Sequence, residues 1–180
     1  VYGKREDLKM NNIVLIGFMG VGKSTIAENM STMFAMKAVE MDQVIAGREG
    51  MSIPDIFAAH GEEYFRGLET ELLIELKSQK NLVISCGGGA VLREQNVAEM
   101  KENGKVVLLT ASPEVIYERV KDSDDRPVLK GRKNVRGISE LMEQRREKYE
   151  TAADIVINTD HKTAPEICKE LFQRLMEMEE

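Results

Sequence analysis

The apolar run "NNIVLIG" passes directly into "GFMGVGKST", Gly17 to Thr25, and this junction limits the chain to few architectures. Gly17 and Gly22-Lys23-Ser24 satisfy the spacing G-x-x-x-x-G-K-[ST], which needs a buried strand before it and a helix opening after it. Glycines let the backbone curl until several N–H groups point inward. The helix start adds the positive end of its dipole, and the result is a cradle for anionic phosphates. Gly20, Val21, Gly22, Lys23, Ser24 and Thr25 are therefore the expected nucleotide contacts. Lys23 would reach the β- and γ-phosphates, and the Ser24 hydroxyl would bind the Mg²⁺ that bridges them. The alternative is a glycine turn beside a stray surface lysine, which requires the whole motif and its setting to coincide by chance.

Four further runs have the composition of strands: "KAVEM" at 37, weaker than the rest, "LVISC" at 82, "KVVLLT" at 105 and "DIVIN" at 154. Helical patterns lie between them, several opened by caps: Ser52 with Pro54 and Asp55, Ser112 with Pro113, and Thr163 with Pro165 and Glu166. Alternating strands and helices predict an α/β fold, a three-layer αβα arrangement around a five-stranded parallel sheet. At 180 residues one domain is expected, over 10–180, with 1–9 read as a disordered or linker extension. No apolar run approaches a membrane span, and "VYGKREDLKM" has no signal-peptide character. A net charge of −6 argues against nucleic acid as a partner, so an anionic small substrate would need local arginines. Cys86 and Cys168 lack metal or redox spacing and read as buried thiols, which fits a cytoplasmic protein. Amphipathic helices with no leftover apolar face make a monomer the expectation.

Two stretches exceed a plain crossover. After "VEMD", two helical segments, Ser52 to His60 and Gly61 to Gln79, suggest a substrate-binding insertion over about 42–79. Lys121 to Gly137 is charged, contains Pro and Gly, and has little apolar content, so it reads as a mobile lid or else a merely solvated loop. In an open parallel sheet, ligands gather beyond the carboxyl ends of the strands. Glu40 and Asp42 stand there after the second strand and would share a face on extended chain, one for the metal's water shell and one for an acceptor hydroxyl. A helix cap is the other reading of Asp42. Gly87, Gly88 and Gly89 follow the third strand and read as a ligand wall or a tight turn. Arg66 lies at the edge of an apolar stripe, with Glu69 one turn on to pair with it, and Arg145 borders the face of Leu141 and Met142. For any one arginine on a charged helix a solvated surface role is the commoner one, and spacing alone does not settle it.

Taken in order, "GFMGVGKST", "EMD", "SIPDIFAAHGEEYFRGLE", "SCGGGAV", "RPVL" and "QRREKY" closely resemble the shikimate kinase family, from about Asn11 to the C-terminus. The resemblance implies a P-loop kinase of the nucleoside-monophosphate-kinase-like fold that uses ATP to phosphorylate the 3-hydroxyl of shikimate, a step toward aromatic amino acids. By position it implies that Asp42 bonds the acceptor hydroxyls and takes the proton. It makes Arg66 and Arg145 the carboxylate clamp and lines the ring with Gly87, Gly88, Gly89, Phe57 and Phe65. Lys23 and the lid residue Arg126 would neutralise the moving phosphoryl, Arg119 would lie along the adenine, and Ser24 and Glu40 would serve Mg²⁺.

Two departures stand out. The family commonly has Asp-x-Asp where this chain has Glu40-Met41-Asp42. After the last strand it often offers an arginine to the adenine, where this chain has His161 and Lys162. The rival readings are a gluconate or nucleotide kinase of the same fold and a nucleotide-switched binding module. The latter would want a guanine-reading Asn-Lys-x-Asp, which is absent from the sequence.

Overall fold

The protein, a computed structural model, is described over residues 11–122, 129 and 131–179. The five apolar runs form strands β1 (Asn12–Ile16), β2 (Lys37–Glu40), β3 (Leu82–Ser85), β4 (Gly104–Thr110) and β5 (Ile155–Asn158). All pair in parallel, in the order β2-β3-β1-β4-β5. Each residue of β1 is buried, as a strand covered on both faces requires, whereas edge strand β5 alternates between buried and exposed. Helices α1 (Lys23–Phe34) and α8 (Ala164–Glu177) pack together. So do α4 (Glu62–Leu76) and α5 (Glu94–Asn103), and α6 (Pro113–Val120) and α7 (Val135–Ala152). The chain leaves β1 for β2 and β3 on one side and continues to β4 and β5 on the other. The crevice beyond β1 is thus the topological switch point where α/β folds hold ligands.

The expected caps are present. Ser52 accepts from Asp55 N, Ser112 from Val115 N, and Thr163 forms a capping box with Glu166. Both cysteines are buried and free. No helix among the described residues is long and apolar enough to cross a membrane.

Three expectations need correction. The stretch after β2 holds three helices, because α2 (Met41–Glu49) precedes α3 (Ile53–His60) and α4. Only Met41 and Ile45 of α2 are buried, and a two-residue apolar seam followed by Gly47 gives little periodic signal. Asp42 accordingly stands in the first turn of a helix, and the extended-chain geometry inferred for Glu40 and Asp42 does not hold. Nor does Asp42 cap that helix: Glu40 occupies the cap position and makes no side-chain cap bond. Finally, the loop read to Gly137 ends at Asn134, whose side chain accepts from Gly137 N at 2.7 Å and opens α7 at Val135. Leu129 within that loop is buried, so the segment does contribute to the core.

Candidate active site

The phosphate loop takes its shape from backbone conformations that only glycine adopts readily. Gly20 and Gly22 have φ of 80° and 103°, in the left-handed region. Val21 N donates to Phe18 O at 3.1 Å and closes the turn. Helix α1 then opens from Gly22 with no side-chain cap, leaving its first amides and its dipole for an anion. Lys23 is buried, and its Nζ donates to Gly17 O at 2.6 Å and Phe18 O at 3.2 Å. Arg119 of α6 braces the loop from outside, with Nη1 donating to Gly20 O at 3.0 Å and Val21 O at 2.9 Å. Thr25 follows on the exposed side of α1. Ser24 Oγ donates to Glu40 Oε2 at 3.0 Å, so the two expected metal residues meet although 16 positions separate them.

From this loop a cleft of about 170 Å³ runs past Glu40 and Asp42 to Gly87 and Gly88. Burial raises the Glu40 carboxyl above its ordinary range, bonds from Ser24 and Ser85 oppose that, and the charge of Asp42 adds to it. Burial also pushes the Cys86 thiol far up, so this cleft-lining sulfur is inert. Among the described residues no cluster of three or more His, Cys, Asp or Glu side chains forms a metal cage. Ser24 and Glu40 offer hard oxygens instead, the kind of partial shell that Mg²⁺ completes with phosphates and water.

Beyond this cleft stand the two candidate arginines, and both are buried: Arg66 is 6% exposed and Arg145 5%. Arg66 Nη1 donates to Glu69 Oε1 at 2.6 Å and Nη2 to Glu62 Oε1 at 3.2 Å. Burial pulls the Arg66 guanidinium down, but Glu69 and Glu62 outweigh it and hold it above its ordinary value. Phe57 and Phe65 pack near its face, with ring centroids 6.0 and 5.3 Å from Cζ, while Arg145 Cζ lies 5.9 Å from the Phe18 centroid. Two buried donors, Arg66 Nε and Arg145 Nη1, have no hydrogen-bond partner, and neither does Glu69 Oε2. Buried polar atoms are rarely left so, and an orphan is a pointer to a ligand.

The triple glycine makes a tight turn, closed by Ala90 N donating to Gly87 O at 3.1 Å, but none of the three has a positive φ, so close approach is what calls for glycine. A Cβ on Gly89 would sit 2.2 Å from Arg66 Nη2, and one on Gly88 would sit 3.1 Å from Met19 N of the phosphate loop. The wall is bare because a guanidinium and a backbone amide press against it.

The fold therefore gathers Lys23, Ser24, Glu40, Asp42, Gly87 and Gly88 around one cleft, with Arg66 against the adjoining Gly89 and Arg145 beside the Phe18 ring. Arg126 lies outside the described residues. His161 is exposed at φ 60°, and Lys162 Nζ pairs with Glu170 at 2.7 Å. Sequence reasoning treated Glu69 only as a surface partner for Arg66, yet it is fully buried, and burial pushes its carboxyl up to about 7 against the pull of Arg66. It also passed over Tyr149, whose hydroxyl donates to Gly88 O. The "QRREKYE" run held a signal for it, since Tyr149 stands one helical turn after Arg145.

A phosphate cradle at the switch point of a parallel sheet, faced by buried arginines on a helical insertion and on a late helix, defines a small P-loop kinase. The family model described as "Shikimate kinase" matches residues 19–176, and the chain belongs to that family. A shikimate kinase of Persephonella marina is 43% identical over 166 residues, covering 92% of this chain and 99% of its own. Among solved structures, a shikimate kinase from Acinetobacter baumannii in complex with shikimate superposes with a TM-score of 0.88 at 31% identity, covering 93% of this chain and 94% of the other. One from Aquifex aeolicus gives 0.79 at 41%, covering 92% and 96%.

Proposed function

We propose that this chain transfers the γ-phosphoryl group of ATP to the 3-hydroxyl of shikimate, giving shikimate 3-phosphate and ADP on the route to aromatic amino acids. The observation that carries this reading is the pair of buried guanidiniums, Arg66 and Arg145, each with a donor left unpartnered. Bidentate guanidinium pairing fixes a carboxylate in charge and orientation, and two arginines on separate helices hold it from two directions. A gluconate or nucleotide kinase would have no use for them in this position relative to the triple glycine.

In the reaction, Asp42 accepts the proton of the 3-hydroxyl, the bond from that oxygen to the γ-phosphorus forms, and the bond to the β–γ bridging oxygen breaks. ADP departs with the electron pair. Phosphoryl transfer asks the protein for alignment and for charge placed where charge develops. Lys23 supplies it from the phosphate loop and Arg126 from the lid, proposed over about 121–134. Phe57 and Phe65 support the ring side of the acceptor, with Gly87–Gly89 as the opposite wall. Ser24 and Glu40 would hold Mg²⁺, a fit supported by the buried, unpartnered Glu40 Oε1 beside the Ser24 hydroxyl. When bound, the cation screens the β- and γ-phosphate charges. Arg119 both braces the loop and offers its plane to the adenine. The enzyme works as a cytoplasmic monomer, without nucleic acid or membrane.

The test is ADP release by the purified protein with ATP and Mg²⁺, in separate reactions with shikimate, gluconate and nucleoside monophosphates. Release that depends on shikimate alone is expected. Turnover with a rival acceptor would keep the phosphate loop and overturn the reading of Arg66 and Arg145.

A further inference from the structure

Two carbonyls of the segment Gly87–Ala90 are held by side chains from different helices, one from α7, which carries Arg145, and one from α5, which is bonded in turn to α4, the helix of Arg66. On one side Tyr149, buried on α7 one turn beyond Arg145, donates its hydroxyl to Gly88 O. Burial pushes that hydroxyl up, with Arg145 opposing, so it stays a donor. On the other side Asn96, fully buried on α5, donates Nδ2 to Ala90 O at 3.0 Å. Its Oδ1 accepts from Thr70 Oγ1, which lies on α4 one turn beyond Arg66 and itself accepts from Arg93 Nη1 at 3.1 Å. The segment Gly87–Ala90 is thus pinned to the Arg145 helix at one carbonyl and, through Asn96, to the Arg66 helix at another.

A cavity of about 260 Å³ lies beneath α7, lined by Phe18, Leu109, Pro113, Met142 and Tyr149. The Tyr149 hydroxyl is a polar tie from that helix to the site.

We propose that Tyr149, and Asn96 acting through Thr70, are positioning residues that set the gap between the Arg66 and Arg145 guanidiniums, with Gly87–Ala90 as the strut between their helices. This rests on the acceptor reading given above. The strut fixes which anionic acceptor spans the two arginines, while the phosphate loop, which it touches at Met19, is braced from outside by Arg119. A purely structural role would lower stability and weaken both substrates alike.

The experiment is steady-state kinetics with shikimate and ATP varied in turn, with thermal unfolding in parallel, on wild type, Tyr149→Phe, Thr70→Val and Thr70→Ser. Shikimate-dependent turnover by wild type establishes the underlying reading, and its absence would defeat that reading rather than this one. Tyr149→Phe is expected to raise the KM for shikimate about tenfold, the equivalent of one lost buried hydrogen bond, with the KM for ATP within about twofold of wild type. Thr70→Val should act in the same direction, and Thr70→Ser, which keeps the hydroxyl, should restore the wild-type value. Combined with Arg145→Lys, Tyr149→Phe should add less than its single effect, because it acts through Arg145. Equal rises in both KM values, full additivity with Arg145→Lys, or an unchanged shikimate KM in Tyr149→Phe would each overturn the proposal.

Discussion

The two ends of the parallel sheet handle buried polarity in opposite ways. At the amino end, Asn12 is buried with its amide fully engaged. Nδ2 donates to Gln79 O at 3.0 Å and Asn103 Oδ1 at 3.2 Å, and Oδ1 accepts from Leu82 N at 3.0 Å. Asn103 in turn donates to Leu73 O at 2.9 Å and Glu99 O at 3.1 Å. This hub joins β1, β3, α4 and α5 and leaves no side-chain atom of either asparagine among the buried, unpartnered ones. At the carboxyl end, Glu40 Oε1, Arg66 Nε, Glu69 Oε2 and Arg145 Nη1 are buried without partners. At the amino end Glu99 Oε2 is buried without a hydrogen bond but is ion-paired with Lys77 Nζ at 2.5 Å, so the uncompensated valences gather at the carboxyl end, where a ligand supplies them. One end is built for stability and the other for binding, and substitutions at the two should separate those quantities.

The sharpest separation is expected at Arg66. Removing one partner of a buried charged contact costs about 2 to 5 kcal/mol of binding. Arg66→Ala should weaken shikimate by that amount while ATP affinity, measured calorimetrically without shikimate, stays near wild type. Collapse of ATP binding would show that the two halves of the cleft are not independent and would remove Arg66 from the acceptor clamp.

The opposite result is expected at Asn12. Asn12→Ala strands Leu82 N–H and part of the Asn103 amide, and a buried group left unsatisfied costs about 1 to 3 kcal/mol. Denaturant unfolding should show a loss on that scale, with the KM values for both substrates unchanged. A selective change in one KM would mean that the hub communicates with the site and is more than a staple.

The contrast between the two ends also explains what could be read from the sequence. The strands were legible because a sheet covered on both faces demands continuous apolar runs, and "IVLIG" and "KVVLLT" can hardly be anything else. The phosphate loop was legible because its chemistry is local, nine consecutive residues that make their own cradle. Helix α2 was not, since two buried residues in nine leave no periodicity to detect. The start of α7 was hidden by Gly137, which read as loop but sits inside the helix against the Arg132 carbonyl. Arg66 and Arg145 were named as candidates, but their burial is a non-local fact supplied by Phe18, Phe57, Phe65 and the glycine wall. Glu69 shows the limit most clearly. Glu69 stands four residues after Phe65 and three before Leu72, on the buried stripe itself, but its charge masked that spacing signal on so charged a helix.

That same glutamate gives the smallest effect, a change of slope with pH. Its carboxyl titrates near 7 in the folded protein instead of the ordinary 4.5, because burial outweighs the pull of Arg66. A folded-state value above the unfolded one means the native state binds the extra proton between those limits, so stability falls as pH rises through that window. The contribution is fully present below about 4.5 and lost by about 7. Glu69→Gln keeps the shape and cannot ionise. The stability of wild type relative to this variant, from thermal unfolding at closely spaced pH without ligands, should therefore decline from pH 5 to 7 and level off above. Parallel curves would mean that Glu69 stays ionised throughout and that Arg66 alone governs it. A decline would make the Arg66–Glu69 pair a proton-sensitive part of the binding end, which the satisfied asparagine hub has no means of being.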